Sequence, residues 1–289
     1  MPELIDLLHL GRRKVIAAWL LPGDEPALVD CGPSACADAL REGLAAHGLE
    51  IRDLRRLLLT HVHLDHAGAS GLLVREHPGL EVWVSEVGAP HLVDPSRLER
   101  SARRLYGEEF DRLWGELAAV PAENVRSLES SAAGIDAFAT PGHASHHVSF
   151  LTADGDCFAG DAAGVRIATS RYIAPVSPPP DVDVEAWHAS LEAIAERAPA
   201  RLLLPHFGVV DEPEEHLAGM HARLDEWSER VAAGMALEEF ERVEDELLHA
   251  DAADDVAAAF RQAGPLWQSY AGLERYWAKK REREADAGM

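Results

Sequence analysis

The stretch that decides the fold runs Arg56-Leu57-Leu58-Leu59-Thr60-His61-Val62-His63-Leu64-Asp65-His66. Its first half is a short apolar strand. Its second half places four metal-ligand side chains within six residues. Side chains alternate along an extended segment, so His61 and His63 point the same way and reach one cation from one side. Beyond them the chain has to turn, and Asp65 and His66 face a second position nearby. Neutral imidazoles and carboxylates accept zinc, iron or manganese alike. A polar loop with chance histidines is the plain alternative, and such ligand density directly after a strand argues against it.

Two metals need more ligands than this cluster holds, and other strand ends offer them. Thr140-Pro141-Gly142-His143, Ala159-Gly160-Asp161 and Leu204-Pro205-His206 each follow a short apolar segment. A rigid scaffold delivers side chains to a shared rim at such places.

Working outward, strands are expected over 15–21 and 27–29, separated by Pro22-Gly23-Asp24, and a helix over 33–47 stopped by Gly48. A helix over 68–76 and a strand over 81–85 follow, then a helical segment over 95–119. Strands are expected over 137–140, 148–152 and around 157–158. A proline-rich loop over 175–180 leads to a helix over 184–197, and Leu202-Leu203-Leu204 forms one more strand. From about Asp211 strand signals vanish, and three or four helices are expected with Gly264-Pro265 as a boundary. The chain thus divides into a metal-binding catalytic unit, 1–210, and a helical extension, 211–289. The charged tail 279–289 is expected to fray.

The motifs HVHLDH at 61–66, TPGH at 140–143, GD at 160–161 and PHFG at 205–208, with Val29-Asp30-Cys31-Gly32 ahead of them, resemble the metallo-β-lactamase-fold hydrolases, including the glyoxalase II-like branch. They match in order and spacing over about residues 15–210. The resemblance implies an α+β fold, a four-layer αβ/βα sandwich, here with a C-terminal helical extension. It implies two divalent metal ions per chain, zinc foremost and iron or manganese as alternatives. His61, His63 and His143 would bind the first, Asp65, His66 and His206 the second, and Asp161 would bridge them. The implied reaction is hydrolysis of an ester, thioester, lactone or related bond of a small molecule by a metal-activated hydroxide. Asp65 is the candidate catalytic residue, orienting the nucleophile or relaying a proton. Asp30 is a candidate support for a ligand imidazole. His146 and His147, close behind His143, are pocket candidates weighed evenly against structural use. A mono-iron oxidoreductase of the persulfide dioxygenase type is the second reading on the same fold. Glyoxalase II enzymes carry a basic and aromatic glutathione-binding set after the bridging Asp. Ala162-Ala163-Gly164-Val165-Arg166 does not show it, so the substrate stays open.

Composition limits the alternatives. The 289 residues carry 50 acidic and 27 basic side chains, a formal charge of -23, which argues against a nucleic-acid backbone as partner. The arginines between Arg97 and Arg112 alternate with acids and read as a solvated helix face. No stretch reaches the length of a membrane span, and the acidic N-terminus is unlike a signal peptide, so a cytoplasmic protein is expected. Cys31, Cys36 and Cys157 are expected as free thiols. His9, His47, His77, His216, His221 and His249 read as surface residues, His91 as surface or helix packing, and His188 as structural. Trp227, Trp267, Tyr270, Tyr276 and Trp277 read as core or interface, which leaves the extension either capping the metal cleft or forming a homodimer contact.

Overall fold

The computed structural model describes residues 1–128, 131–132, 134–167 and 170–287. In chain order β1 (Glu3–Asp6), β2 (Ala17–Leu21), β3 (Ala27–Val29), β4 (Arg56–Leu58), β5 (Glu81–Ser85) and β6 (Val125–Leu128) form one six-stranded sheet with the same spatial order. β1, β2 and β3 pair antiparallel, and β3 through β6 pair parallel. The second sheet is built from β7 (Ser131–Ala132), β8 (Ile135–Ala139), β9 (Val148–Leu151), β10 (Asp156–Phe158), β11 (Arg201–Leu204) and β12 (Gly208–Val210), again neighbours in sequence order. Only its β10–β11 pair is parallel.

The triple leucine 57–59, which begins in β4 and runs one residue past it, shows why the sheets stack. Leu58 turns inward, where Trp19 and Val29 of the first sheet meet Val148, Phe150, Phe158 and Leu203 of the second. Leu57 and Leu59 turn to the other face and join a separate cluster. In β11, Leu203 faces between the sheets while Leu202 and Leu204 face away. Strands buried on both faces read as unbroken apolar runs rather than alternating ones. The outer cluster takes in Leu40 and Leu44 of α1 (Ala37–Ala46), and it continues past the short α2 (Leu64–Ala67) to Leu73 and Val74 of α3 (Ser70–Glu76). The chain continues through α4 (Ala89–Val93), α5 (Ser96–Tyr106) and α6 (Phe110–Trp114) to α7 (Val184–Glu196). Trp187, Leu191 and Ile194 of α7 belong to the same cluster as Phe138, Cys157, Leu202 and Leu204 of the second sheet. The architecture is therefore the α+β four-layer sandwich.

Four helices complete the chain: α8 (Pro213–Ala232), α9 (Leu237–Asp251), α10 (Asp254–Ala263) and α11 (Leu266–Ala287). Their buried Leu224, Trp227, Phe240, Phe260 and Leu273 belong to the cluster that also contains α7 and the outer face of the second sheet. A buried polar knot fastens them. Glu244 of α9 is fully buried and is met by Arg223 and Arg230 of α8, while the Tyr172 hydroxyl donates to it at 2.7 Å. Asp251 accepts the backbone N–H groups of Arg171 and Tyr172 at 2.6 and 3.1 Å. α9 thus holds the loop that follows Asp161.

Several expectations are corrected. The helix expected over 95–119 is two, α5 and α6, because Gly107 and Gly115 adopt positive φ (55° and 71°) and end them. The charged tail is helical through Ala287, with Lys280 paired to Glu185; its last two residues, 288–289, lie outside the described residues. β1, β6, β7 and β12 add to the strands expected from apolar runs. Cys31, Cys36 and Cys157 are free and buried.

Candidate metal centre

Each side chain of the centre leaves the end of a strand. His61, His63, Asp65 and His66 follow β4, and His143 follows β8. Asp161 follows β10, and His206 follows β11. Their ligand atoms fall into two groups, His61–His63–His143 and Asp65–His66–Asp161–His206, each with its atoms within 4.8 Å of one another. In the first, His63 Nδ1 lies 3.1 Å from His61 Nε2 and 2.9 Å from His143 Nε2. In the second, His66 Nε2 lies 3.6 Å from Asp65 Oδ2, and His206 Nε2 lies 3.4 Å from it. Asp161 stands between the groups. Its Oδ2 faces the first, 3.5 Å from His143 Nε2 and 4.0 Å from His61 Nε2. Its Oδ1 faces the second, 3.4 Å from His66 Nε2 and 3.6 Å from His206 Nε2.

The far nitrogens of the rings are held from behind, which fixes the tautomers. His66 Nδ1–H donates to Asp30 Oδ2 at 2.9 Å, His143 Nδ1–H to the Val176 carbonyl at 2.7 Å, and His206 Nδ1–H to the Val15 carbonyl at 2.5 Å. The Thr60 hydroxyl donates to Asp30 at 2.9 Å and accepts from His61 Nδ1–H at 3.0 Å. Asp30 therefore supports one imidazole of each group, directly for His66 and through Thr60 for His61. It sits at positive φ (55°), a conformation that Asp tolerates better than most residues. Every proton so placed leaves a lone pair on the opposite nitrogen, aimed into the centre.

These atoms fit divalent cations. His66 Nε2, His206 Nε2 and Asp161 Oδ1 are fully buried and have no hydrogen-bond partner among the described residues, a costly arrangement unless a cation fills it. Burial, reinforced by neighbouring imidazoles, holds His61 and His63 well below the ordinary histidine range, so both are neutral ligands. Burial also presses on His66 and His206, but Asp161 and Asp65 outweigh it and raise both. Burial works the other way on the carboxyls, yet His66 and His206 hold Asp65 and Asp161 below the usual carboxylate range. The centre pairs carboxylates with positive charge, and bound cations would supply that charge.

The remaining histidines separate by their partners. His147 Nε2 accepts the Asp161 backbone N–H at 3.0 Å, and its Nδ1 is bonded to Thr140 Oγ1 at 2.8 Å, so no atom is free for a metal. His146 does not line the cleft; it stacks behind His61 with ring centroids 6.1 Å apart, and its Nδ1 faces the Val62 N–H. His91 lies beyond it, 6.2 Å from the His146 ring. His188 stacks on His221 between α7 and α8 and pairs with Asp225. Two surface assignments are corrected. His9 is buried against the cleft, bonded to the Leu113 carbonyl and to Gln262, and His216 is buried with Nε2–H donating to the Ala163 carbonyl at 2.8 Å. No apolar periodicity marks His9, whose partners are distant in sequence, whereas His216 is in helical register with Met220, Leu224 and Trp227 of α8, a signal that could have found it. Gly160 is sterically required beside Asp161: with φ at +53°, a Cβ there would come within 2.4 Å of His147 Nε2.

The centre opens into a cavity of about 200 Å³. His63, Asp65, His143 and Asp161 form its floor, α5 and α6 contribute Leu98, Tyr106 and Trp114, and the α10–α11 junction contributes Gln262, Pro265 and Gln268. The C-terminal helices therefore wall the cleft. No sequence periodicity announced Gln262 or Gln268, because their place depends on how four helices pack.

Comparisons place this geometry among known proteins. A metallo-β-lactamase family protein from Thermus thermophilus superposes with a TM-score of 0.70 at 23% identity, covering 98% of this chain and 94% of that one. The metallo-β-lactamase fold-containing protein ST1585 of Sulfurisphaera tokodaii is 27% identical over 175 residues, 57% of this chain and 65% of its own length. An atrochrysone carboxyl ACP thioesterase of Passalora fulva is 24% identical over 193 residues, 63% of this chain and about half (49%) of that protein. No helix is long and apolar enough to cross a membrane among the described residues. The model of the metallo-β-lactamase superfamily matches residues 11–206, more than half of the chain, and with its two sheets and its paired His/Asp groups at the strand ends the chain belongs to that superfamily.

Proposed function

We propose that the protein is a two-metal hydrolase that cleaves an ester, thioester, lactone or related bond of a small molecule. One observation carries this reading: beside the three-histidine group, the second group holds three buried ligand atoms, His66 Nε2, His206 Nε2 and Asp161 Oδ1, that have no hydrogen-bond partner among the described residues. In this reading His61, His63 and His143 hold the first cation, Asp65, His66 and His206 the second, and Asp161 both. Two divalent cations held there would bring the pKa of a shared water toward neutrality and polarise the substrate carbonyl. Both carboxylates of the second group line the cleft, and Asp65 is the accessible one, with about a fifth of its side chain exposed while Asp161 is buried. Asp65 takes the proton of the attacking water and passes it to the departing oxygen or sulfur as the acyl bond breaks. Asp30 and Thr60 keep His66 and His61 oriented through the cycle. Mono-iron oxidation, the other reading, would use the same ligand set for one ion and would match fewer of these buried ligand atoms with a cation. The relative named as a thioesterase is compatible with acyl transfer to water. Elemental analysis of protein purified without added metal, alongside assays of methyl esters and lactones, tests the reading. Two metals per chain and parallel loss of metal and activity in His63→Ala are expected. One iron per chain, or full activity in His63→Ala, would overturn it.

A further inference from the structure

We propose that the substrate presents to the cleft an uncharged, largely apolar acyl group bearing one hydrogen-bond acceptor, with Trp114 and Gln268 recognising that acceptor. This rests on the hydrolytic reading above and adds a substrate class to it. Beyond the residues facing the metals, the walls are made by side chains such as Leu98, Leu105, Leu113, Tyr106 and Val176. No lysine or arginine lines the cleft among the described residues; Arg12, outside it, is exposed and bound to Gln262 Oε1 at 2.8 Å. A carboxylate or phosphate drawn into such walls loses its water and gains no counter-charge, on a chain whose net charge of -23 already repels anions.

Two polar groups on the walls keep unused bonding capacity. Trp114 stacks on His9 (centroids 5.6 Å apart) and meets Tyr106 edge-on (5.1 Å), yet its buried Nε1–H has no partner among the described residues. Burying a donor unpaired costs about 1–3 kcal/mol, which an acceptor on a ligand would offset. Among the described residues Gln268, only 5% exposed, has Tyr106 as its one side-chain partner: its Nε2 donates to the phenol oxygen at 3.2 Å, and its Oε1 lies 3.5 Å from it. One amide hydrogen is thus left for a ligand. Gln262, by contrast, is occupied by His9 and Arg12. Size sets the upper limit. An apolar cavity of about 150 Å³ holds a benzene ring, so the present cavity of about 200 Å³ suits one ring with a short chain, or an acyl chain of about eight carbons.

Methyl 7-oxooctanoate and monomethyl suberate test the class, since their small leaving group commits the acyl chain to the cleft and their eight-carbon chains end in a neutral ketone acceptor and in a carboxylate respectively. With zinc-loaded protein, kcat/KM should favour the neutral ester by about 100-fold or more; equal values would overturn the inference. Calorimetric titration of the same protein with octanamide reads the cleft without turnover. Trp114→Phe and Gln268→Leu, each checked for wild-type metal content and melting temperature, should weaken octanamide binding by about tenfold. No binding to the wild type, or unchanged binding in both variants, would also overturn it. If neither ester is cleaved while octanamide binds as expected, the hydrolytic reading fails and the acyl cleft stands.

Discussion

Asp30 does the most for its size. Its carboxylate is nearly inaccessible, yet it bonds the His66 ring and, through Thr60, the His61 ring, one on each side of the centre. Outer partners of metal-bound imidazoles typically tune affinity by 10–100-fold. Asp30→Asn should therefore weaken metal retention by about that factor, read by competition with a chelator, while the fold persists because Asn keeps the acceptor for the Thr60 N–H. Wild-type affinity would show that the contact is incidental. At this scale much was legible: the seven side chains whose ligand atoms converge all follow from motif and position. Trp114, Gln268 and the burial of His9 do not, since nothing local distinguishes a wall residue from a surface one.

At the scale of elements, the strands divide cleanly. The eight strands legible from apolar runs, β2 to β5 and β8 to β11, are the interior ones. The other four, β1, β6, β7 and β12, are the edges of the two sheets. Interior strands such as β4 and β11 are covered on both faces and carry apolar runs that can be read, whereas an edge strand such as Glu3-Leu4-Ile5-Asp6 keeps polar residues that blunt its open side. Helix α8 has a pH response of its own. Burial, partly offset by the bond to Ala163, lowers the His216 pKa to about 4 from 6.5. Between those values the unfolded chain takes up a proton that the folded chain refuses, so stability is full above pH 6.5 and falls as the pH drops toward 4. The loss should approach about 3 kcal/mol. Comparing melting temperature against pH for wild type and His216→Gln, which keeps a donor for Ala163, should show a shallower acid slope in the variant. Identical slopes would rule out the assignment.

Over the whole molecule, the centre ties both sheets together, because its groups draw on β4 of one and on β8, β10 and β11 of the other. Cations that bind only this folded arrangement stabilise it by mass action. Removing them with a chelator should lower the melting temperature by on the order of 5–10 °C, recovered on adding back zinc. An unchanged melting curve after verified metal loss would mean that the centre is preformed and held by protein contacts alone. The C-terminal helices also act at this scale. α9 anchors the loop after Asp161 through Glu244 and Asp251, and the α10–α11 junction closes one wall of the cleft.

The sequence by itself determined the interior strands and the candidate ligands at their ends, because covered strands need apolar runs and metal chemistry demands particular side chains; the sandwich followed from the resemblance that those motifs carry. Only the tertiary structure decided what surrounds that centre: which ring is braced by Asp30, how α5, α6 and the last helices enclose the cleft, and that its walls carry no cation among the described residues. Those features arise where segments far apart in the chain meet, as His9 meets Gln262. No periodicity within a segment encodes such a meeting, since it follows from packing whole elements against one another.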